Sequence, residues 1–204
     1  NLLRWNEKAQ ANQSSRFYDM EGFLRSKDSL LSIEKQEMGD VSGKDMLHLQ
    51  CHFGMDSISW AARGARVTGV DFSPDAIELA GHLSKKVDIP ARFILSNLYE
   101  LDSKLPELFD IVYTSYGVLC WLPDIKGWGR TIANHLRPGG TFYMVENHPF
   151  GNLIDENVED HFRAAYPYFS DEPVLFDDDH VVDEGHRFEN VARYEWSHPL
   201  SSIL

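Results

Sequence analysis

Two cysteines, Cys51 and Cys120, are all that 204 residues contain. So sparse a set builds no disulfide framework, and two free thiols in a reducing compartment is the plain reading. The alternative is a zinc set of His48, Cys51, His52 and Cys120, brought together by loops at one sheet edge. Its first three members straddle a strand end without a compact ligand-pair motif, so no metal is expected. Basic residues are also scarce: 19 Lys and Arg stand against 32 Asp and Glu, a formal net charge of -13. Such a surface repels phosphate backbones, and no Lys/Arg cluster offers a groove, so no nucleic-acid partner is expected. No apolar run is long enough to span a bilayer, and the opening NLLRWNEKAQ is polar rather than leader-like. The expectation is a cytoplasmic chain with no membrane partner. What is present is ordinary globular composition, 43% hydrophobic and 25% charged, enough for one α/β domain with a sizeable core.

Glycine is missing where it would be most informative. Met46 to Asp71 runs MLHLQCHFGMDSISWAARGARVTGVD: a strand, a tight loop, a helix, and a second strand closed by an acid. That is the layout of the nucleotide-binding half of a doubly wound fold, with the acid placed to accept hydrogen bonds from ribose hydroxyls. A dinucleotide-binding loop needs G-x-G-x-x-G so that pyrophosphate can approach bare backbone at a helix N-terminus. Here the loop is Gln50-Cys51-His52-Phe53-Gly54, with one glycine. The pattern argues against a pyrophosphate cradle and leaves a nucleoside ligand without phosphates, of which S-adenosylmethionine is the common one.

The rest of the chain repeats the strand-then-helix order. Residues 1–38 read as amphipathic helix in two pieces, interrupted around Ser14–Tyr18 and Glu21–Phe23. Strands are expected at Asp45–Leu49, Ala65–Val70, Ala91–Leu95, Phe109–Thr114 and Thr141–Val145. Between them Gly64 closes one helix, and Ser73-Pro74-Asp75 opens another with a cap, a first-turn proline and an acid at the positive helix end. Ser96 to Leu108 reads as loop with one helical turn, Trp128–Leu136 as helix, and Arg137-Pro138-Gly139-Gly140 as a turn. This order predicts a doubly wound, mainly parallel sheet with right-handed crossovers. After Glu146 the rhythm breaks. Asn147 to Gly185 is polar, acidic and aromatic, which fits either a cover over the ligand-binding sheet edge or a solvated loop. Arg187 to Ser197 alternates like a further strand, and His198-Pro199-Leu200-Ser201 could begin a helix.

Several spaced features now add up. HLQCHFG, VTGVDFSPDAI, FILSNLYEL, FDIVYTSYGVLCWLPD and HLRPGGTFYMVE follow one another as the motifs of class I S-adenosylmethionine-dependent methyltransferases do, and from about Asp45 to Asn147 the chain resembles that family. His48 stands where the family has an acid, and Gln50 and His52 stand where it has glycines. The resemblance implies a Rossmann-like methyltransferase fold lacking its last strands in this chain. It also implies one domain over 1–204: N-terminal helices at 1–44, a cofactor-binding core at 45–147, and an insertion or lid at 148–190. S-adenosylmethionine is the implied cofactor.

Residue by residue, the resemblance places the backbone of Gln50, Cys51, His52 and Gly54 at the methionine part of the cofactor. Asp71 would take the ribose hydroxyls and Phe72 an adenine face. Asn97 and Leu98 would meet the adenine edge, while Thr114, Ser115 and Tyr116 would lie beside the methyl end. Tyr18 would fold over the cofactor. Each has a plainer reading: Asp71 as a turn residue, Phe72 as core, Asn97 as a loop cap, and Tyr18 as a packing aromatic. A sulfonium methyl is already an electrophile, so the protein mainly aligns the partners, and a base is needed only for a protonated nucleophile. Tyr116 and His148 are the candidates for that catalytic role, with a simple loop histidine the favoured reading of His148. Trp121 and the aromatics of the insertion fit a small-molecule pocket. The leading expectation is a small-molecule methyltransferase. A cofactor-binding module without turnover and a nicotinamide-dependent oxidoreductase are the alternatives, the last opposed by the missing glycines.

Overall fold

The computed structural model describes residues 1–155, 158, 160–177 and 187–204. Its centre is a five-stranded sheet, all neighbours parallel, made of β1 (Asp45–Leu49), β2 (Arg66–Asp71), β3 (Arg92–Leu95), β4 (Phe109–Ser115) and β5 (Leu136–Val145) in the order β3-β2-β1-β4-β5. The doubly wound fold read from the sequence is the fold the chain adopts. The strand order reverses at β1, which opens a crevice outside the carboxyl ends of β1 and β4, where such sheets bind ligands.

The strands form where they do because both faces of the sheet are covered. β1 lies between β2 and β4, and four of its five residues are buried, so its sequence is a near-continuous apolar run. Leu47 and Leu49 pack with Leu101, Val112, Trp128 and Ile132 on one face; Met46 packs with Leu30, Trp60, Ile111 and Tyr113 on the other. The helices that supply this cover are α4 (Met55–Ala62), α5 (Pro74–Val87), α6 (Leu101–Lys104) and α7 (Ile125–His135). α5 starts as its sequence dictates, with Ser73 Oγ accepting from Ala76 N at 3.1 Å and Pro74 in the first turn. Gly69 of β2 has no space for a side chain: an added Cβ would meet Phe93 at 2.8 Å and Cys51 Sγ at 2.9 Å. This close approach seats the loop after β1 against the second and third strands.

Some expectations need correction. The N-terminal region forms three helices rather than two: α1 (Leu2–Asn12), α2 (Met20–Ser26) and α3 (Ser32–Met38). Asp19 ends the break before α2 by accepting from Gly22 N at 3.0 Å. α7 begins at Ile125 rather than Trp128, because Asp124 caps it through Gly127 N at 2.8 Å. Arg137-Pro138-Gly139-Gly140 is a bulge inside β5 rather than a turn before it. The ladder shifts register between Phe109 and Ile111, and Gly139 takes a positive φ of 80°. From Arg187 to Ser197 only Arg193–Glu195 is strand, β7, paired antiparallel with β6 (Val174–Phe176) in a separate two-stranded sheet. A short helix, α8 (Leu200–Ile203), follows. Parts of the 148–190 segment, namely 156–157, 159 and 178–186, lie outside the described residues. No described helix is long and apolar enough to cross a membrane.

Candidate active site

The loop after β1 reaches the carboxyl edge with an unusual backbone. Gln50 has φ 56° and His52 φ 51°, and Gly54 follows at φ 80°. The left-handed region costs a non-glycine residue about 1–2 kcal/mol, so two such residues in one short loop are held there by their surroundings. Two of the restraints are visible. Cys51 N donates to Val70 O at 3.0 Å, and His52 N donates to Asp71 Oδ2 at 2.8 Å. The loop thus keeps the alternating conformation that glycines would give, with side chains added.

Asp71, at the end of β2, is buried and accepts a second backbone hydrogen bond, from Ser73 N to Oδ1 at 2.9 Å. Burial raises its pKa, although the backbone donors at Ser73 and His52 oppose the shift. A carboxylate oxygen holding one N–H keeps a further lone-pair site, so Asp71 can still accept from a ligand. Two polar atoms of the loop are buried without a partner among the described residues: Gln50 Oε1 and His52 Nε2. Gln50 spends its amide N–H on Val118 O at 3.2 Å, and burial lowers the His52 pKa to about 3, so the ring is neutral. Buried polar atoms left without partners call for a ligand or an ordered water.

The N-terminal segment closes over this loop. Trp5 of α1 meets the His52 ring at 5.4 Å and the Trp121 ring at 5.1 Å, both edge-on, while Tyr18 lies 5.6 Å from His52 and 4.9 Å from Phe53. Asn6 of the same helix accepts from Ser73 Oγ at 2.7 Å. Tyr18 therefore packs against the loop after β1. Trp5 was not singled out, because a lone aromatic in a polar opening segment gives no sign of its tertiary partner.

Phe72 is partly buried beside Asp71. Asn97 is exposed and serves as a loop cap, its Oδ1 accepting from Tyr99 N at 3.1 Å. The side chain of Leu98 packs against the core, and its carbonyl accepts from Thr131 Oγ1 at 3.2 Å. Thr114 is fully buried, and its hydroxyl donates to Leu49 O at 3.4 Å, so it contributes strand position rather than a free side chain.

Ser115 and Tyr116 lead to an acidic pair that sequence reading missed. Ser115 Oγ donates to Asp56 Oδ2 at 3.1 Å, and Ser29 Oγ donates to Asp56 Oδ1 at 2.6 Å. Tyr116 OH donates to Glu34 Oε2 at 3.3 Å, and Tyr113 OH donates to Glu34 Oε1. Glu34 is buried, which raises its pKa, with Asp56 adding a smaller push in the same direction. Burial and Glu34 together raise Tyr116 to about 12. Locally Glu34 reads as a first-turn acid of α3, and it does accept from Leu31 N at 2.9 Å; that ordinary role hides the tertiary one. His148 is exposed and accepts from Phe150 N at 3.2 Å, as a loop histidine would.

Glu146, at the end of β5, ties the segment after β4 in place. Its carboxylate accepts from the N–H of Gly117, Val118 (2.7 Å), Leu119 (3.1 Å) and Asn147 (2.7 Å). Beside it lies a small cavity of about 30 Å³ whose walls include Cys120, Pro149, Trp196 and His198. A larger cleft, about 700 Å³, lies at the opposite, amino edge of the sheet between Asp45, Arg66, Arg92 and Arg137. Its lining is an exposed ion-pair set, Asp45 with Arg66 at 2.6 Å and with Arg137 at 2.7 Å, rather than the residues at the strand carboxyl ends. Among the described residues no group of three or more His, Cys, Asp or Glu side chains is arranged to hold a metal ion.

Residues 47–142 match the family described as a methyltransferase domain. Over 148 residues the chain is 28% identical to a ubiquinone biosynthesis O-methyltransferase of Photorhabdus laumondii, covering 71% of this chain and 58% of that protein. The protein of that name from Proteus mirabilis is 28% identical over 74% of this chain and 60% of its own length. The one from Pseudomonas entomophila is 33% identical over 58% and 51%. The chain thus spans little more than half the length of the curated relatives it matches. Among solved structures, DhpI in complex with SAH aligns with a TM-score of 0.57 at 16% identity, covering 98% of this chain and 79% of DhpI, a likeness of fold.

Proposed function

We propose that this chain, whose residues 47–142 match a methyltransferase domain, is a class I S-adenosylmethionine-dependent methyltransferase that moves a methyl group from S-adenosylmethionine to a small-molecule acceptor by in-line displacement. The observation that carries the reading is the loop from Gln50 to Gly54, held in glycine-like conformation against Asp71, with Gln50 Oε1 and His52 Nε2 buried and unpartnered among the described residues. Those residues fit a nucleoside that carries an amino-acid tail. In this reading Asp71 accepts from the ribose hydroxyls, and Phe72 packs on the base with Asn97 and Leu98 at its edge. Gln50, Cys51, His52, Gly54, Thr114 and Ser115 surround the amino-acid end, and Tyr18 covers it. The cofactor supplies an electrophilic methyl.

The protein's own part is to align and to take up a proton. Asp56 fixes Ser115, and Glu146 fixes the turn that follows Tyr116, so the end of β4 is a rigid wall for the acceptor. For a hydroxyl acceptor, Tyr116 passes the proton to the Glu34 carboxylate behind it, with His148 as the second candidate. The net charge of -13 favours a small molecule over a nucleic acid, and the printed names of the curated relatives favour an oxygen acceptor. In this reading residues 1–44, with the described residues of the 148–190 segment, cover the site, and 45–147 form its core. Two free cysteines fit a reducing cytoplasm.

The test is turnover. Intact chain, labelled S-adenosylmethionine and a panel of catechols and hydroxylated acids should give labelled product and S-adenosylhomocysteine in equal amounts. Binding of S-adenosylhomocysteine without transfer to any acceptor would contradict the enzyme reading and leave a binding module.

A further inference from the structure

Methyl transfer needs an acceptor seated between the loop after β1 and the segment after β4, and one charge there has no counter-ion among the described residues. Lys8 of α1 places its ammonium 4.6 Å from the centroid of the Trp5 ring and 5.6 Å from that of Trp121. Trp5 in turn touches His52 of the loop. Lys8 makes no hydrogen bond or ion pair among the described residues, and its neighbours do not neutralise it. Arg4 and Arg193 are the other cations of this corner. The carboxylate nearby, Glu195, is held by Arg193 Nε at 2.7 Å. Burial, helped by Arg4, lowers the Lys8 pKa.

A lysine on an open surface needs no anion, because water solvates it. A half-buried ammonium between two indole faces has lost part of that water, and cation–π attraction replaces only some of it.

Resting on the methyl-transfer reading, we infer that Lys8 is the counter-ion of an anionic acceptor: a small acid whose carboxylate, or similar oxyanion, pairs with the Lys8 ammonium beside Trp121. The cofactor's own carboxylate shares this chemistry. Trp121 belongs to the segment after β4, on the acceptor side of the loop, which favours the acceptor as the source.

The experiment uses the intact chain, Lys8→Met and Lys8→Arg, each checked for an unchanged thermal melt. S-adenosylhomocysteine binding is measured first by calorimetry. The loaded proteins are then titrated with hydroxylated aromatic and aliphatic acids, each paired with its primary amide. Wild type should bind at least one acid about tenfold or more tighter than its amide. Lys8→Met should lose that preference while keeping the affinity for S-adenosylhomocysteine within about twofold, and Lys8→Arg should keep the preference. Equal binding of acid and amide by wild type, no acid bound at all, or a preference that survives Lys8→Met would overturn the inference. Loss of S-adenosylhomocysteine affinity in Lys8→Met with the acid preference intact would assign the ammonium to the cofactor and overturn it too. Failure of wild type to bind S-adenosylhomocysteine would instead bring down the methyl-transfer reading itself.

Discussion

Replacing Asp71 with alanine should weaken S-adenosylhomocysteine binding by about a hundredfold or more while the chain stays folded. Two charge-assisted hydrogen bonds to a ribose are worth about 1.5–3 kcal/mol each, and about 1.4 kcal/mol is a factor of ten. The substitution also strips the N–H of His52 and of Ser73 of their acceptor, which costs about 1–3 kcal/mol per buried donor. That is a large share of a stability of about 5–15 kcal/mol, so a lowered melting temperature is expected alongside. Asp71→Asn keeps an acceptor oxygen and separates the two effects: it should melt closer to wild type and still bind poorly. Calorimetry with unchanged affinity in both variants would remove Asp71 from the site. The pH dependence has a definite sign. Burial raises the Asp71 pKa, and the ionised form is the acceptor, so affinity should fall as pH drops through a value above the ordinary carboxylate range. The stability contribution runs the other way. A carboxyl raised above its unfolded value favours the fold at low pH and loses that contribution as pH rises through the folded pKa.

Glu34→Gln should lower kcat by about a hundredfold on a hydroxyl acceptor, in line with the usual size of general-base effects, with S-adenosylhomocysteine affinity unchanged. Tyr116→Phe should do the same, since it removes the hydroxyl that joins Glu34 to the acceptor side. Glutamine is isosteric: its one oxygen can accept from Leu31 N and the Tyr116 hydroxyl while its amide N–H donates to the Tyr113 hydroxyl oxygen, so a fold effect should be small. Burial raises the Glu34 pKa. The wild-type rate should therefore fall as pH drops through that raised value, and Glu34→Gln should lose this limb of the profile. Full activity in Glu34→Gln with a silent Tyr116→Phe, combined with loss in His148→Ala, would move the proton acceptor to His148.

The parts of the molecule that sequence made legible are those fixed by local chemistry. β1 is an apolar run covered on both sides, and α5 begins at Ser73-Pro74-Asp75 because a cap, a fixed φ and an acid coincide there. The position of Asp71, closing β2, was legible in the same way. The parts that were not legible depend on partners distant in the chain. Gln50 and His52 look like losses from a glycine loop, yet contacts with Val70 and Asp71 hold their backbones in the left-handed region. Glu34 reads as a first-turn acid, and only the fold brings Tyr113 and Tyr116 to it. The bulge at Gly139 looks like a turn because the same residue types serve both, and the ladder with β4 decides between them. Lys8 and Trp5 carry no local mark at all; their meaning comes from α1 lying over the loop.

The central claim is that the cofactor lies at the carboxyl edge, on Asp71 and the loop after β1. A crystal structure of the intact chain grown with S-adenosylhomocysteine tests it most directly. The expected density shows the ribose hydroxyls on the Asp71 carboxylate and the amino-acid end against Gln50 and His52. Adenosine found instead in the cleft of about 700 Å³ at the amino edge, among Asp45, Arg66 and Arg137, would contradict it.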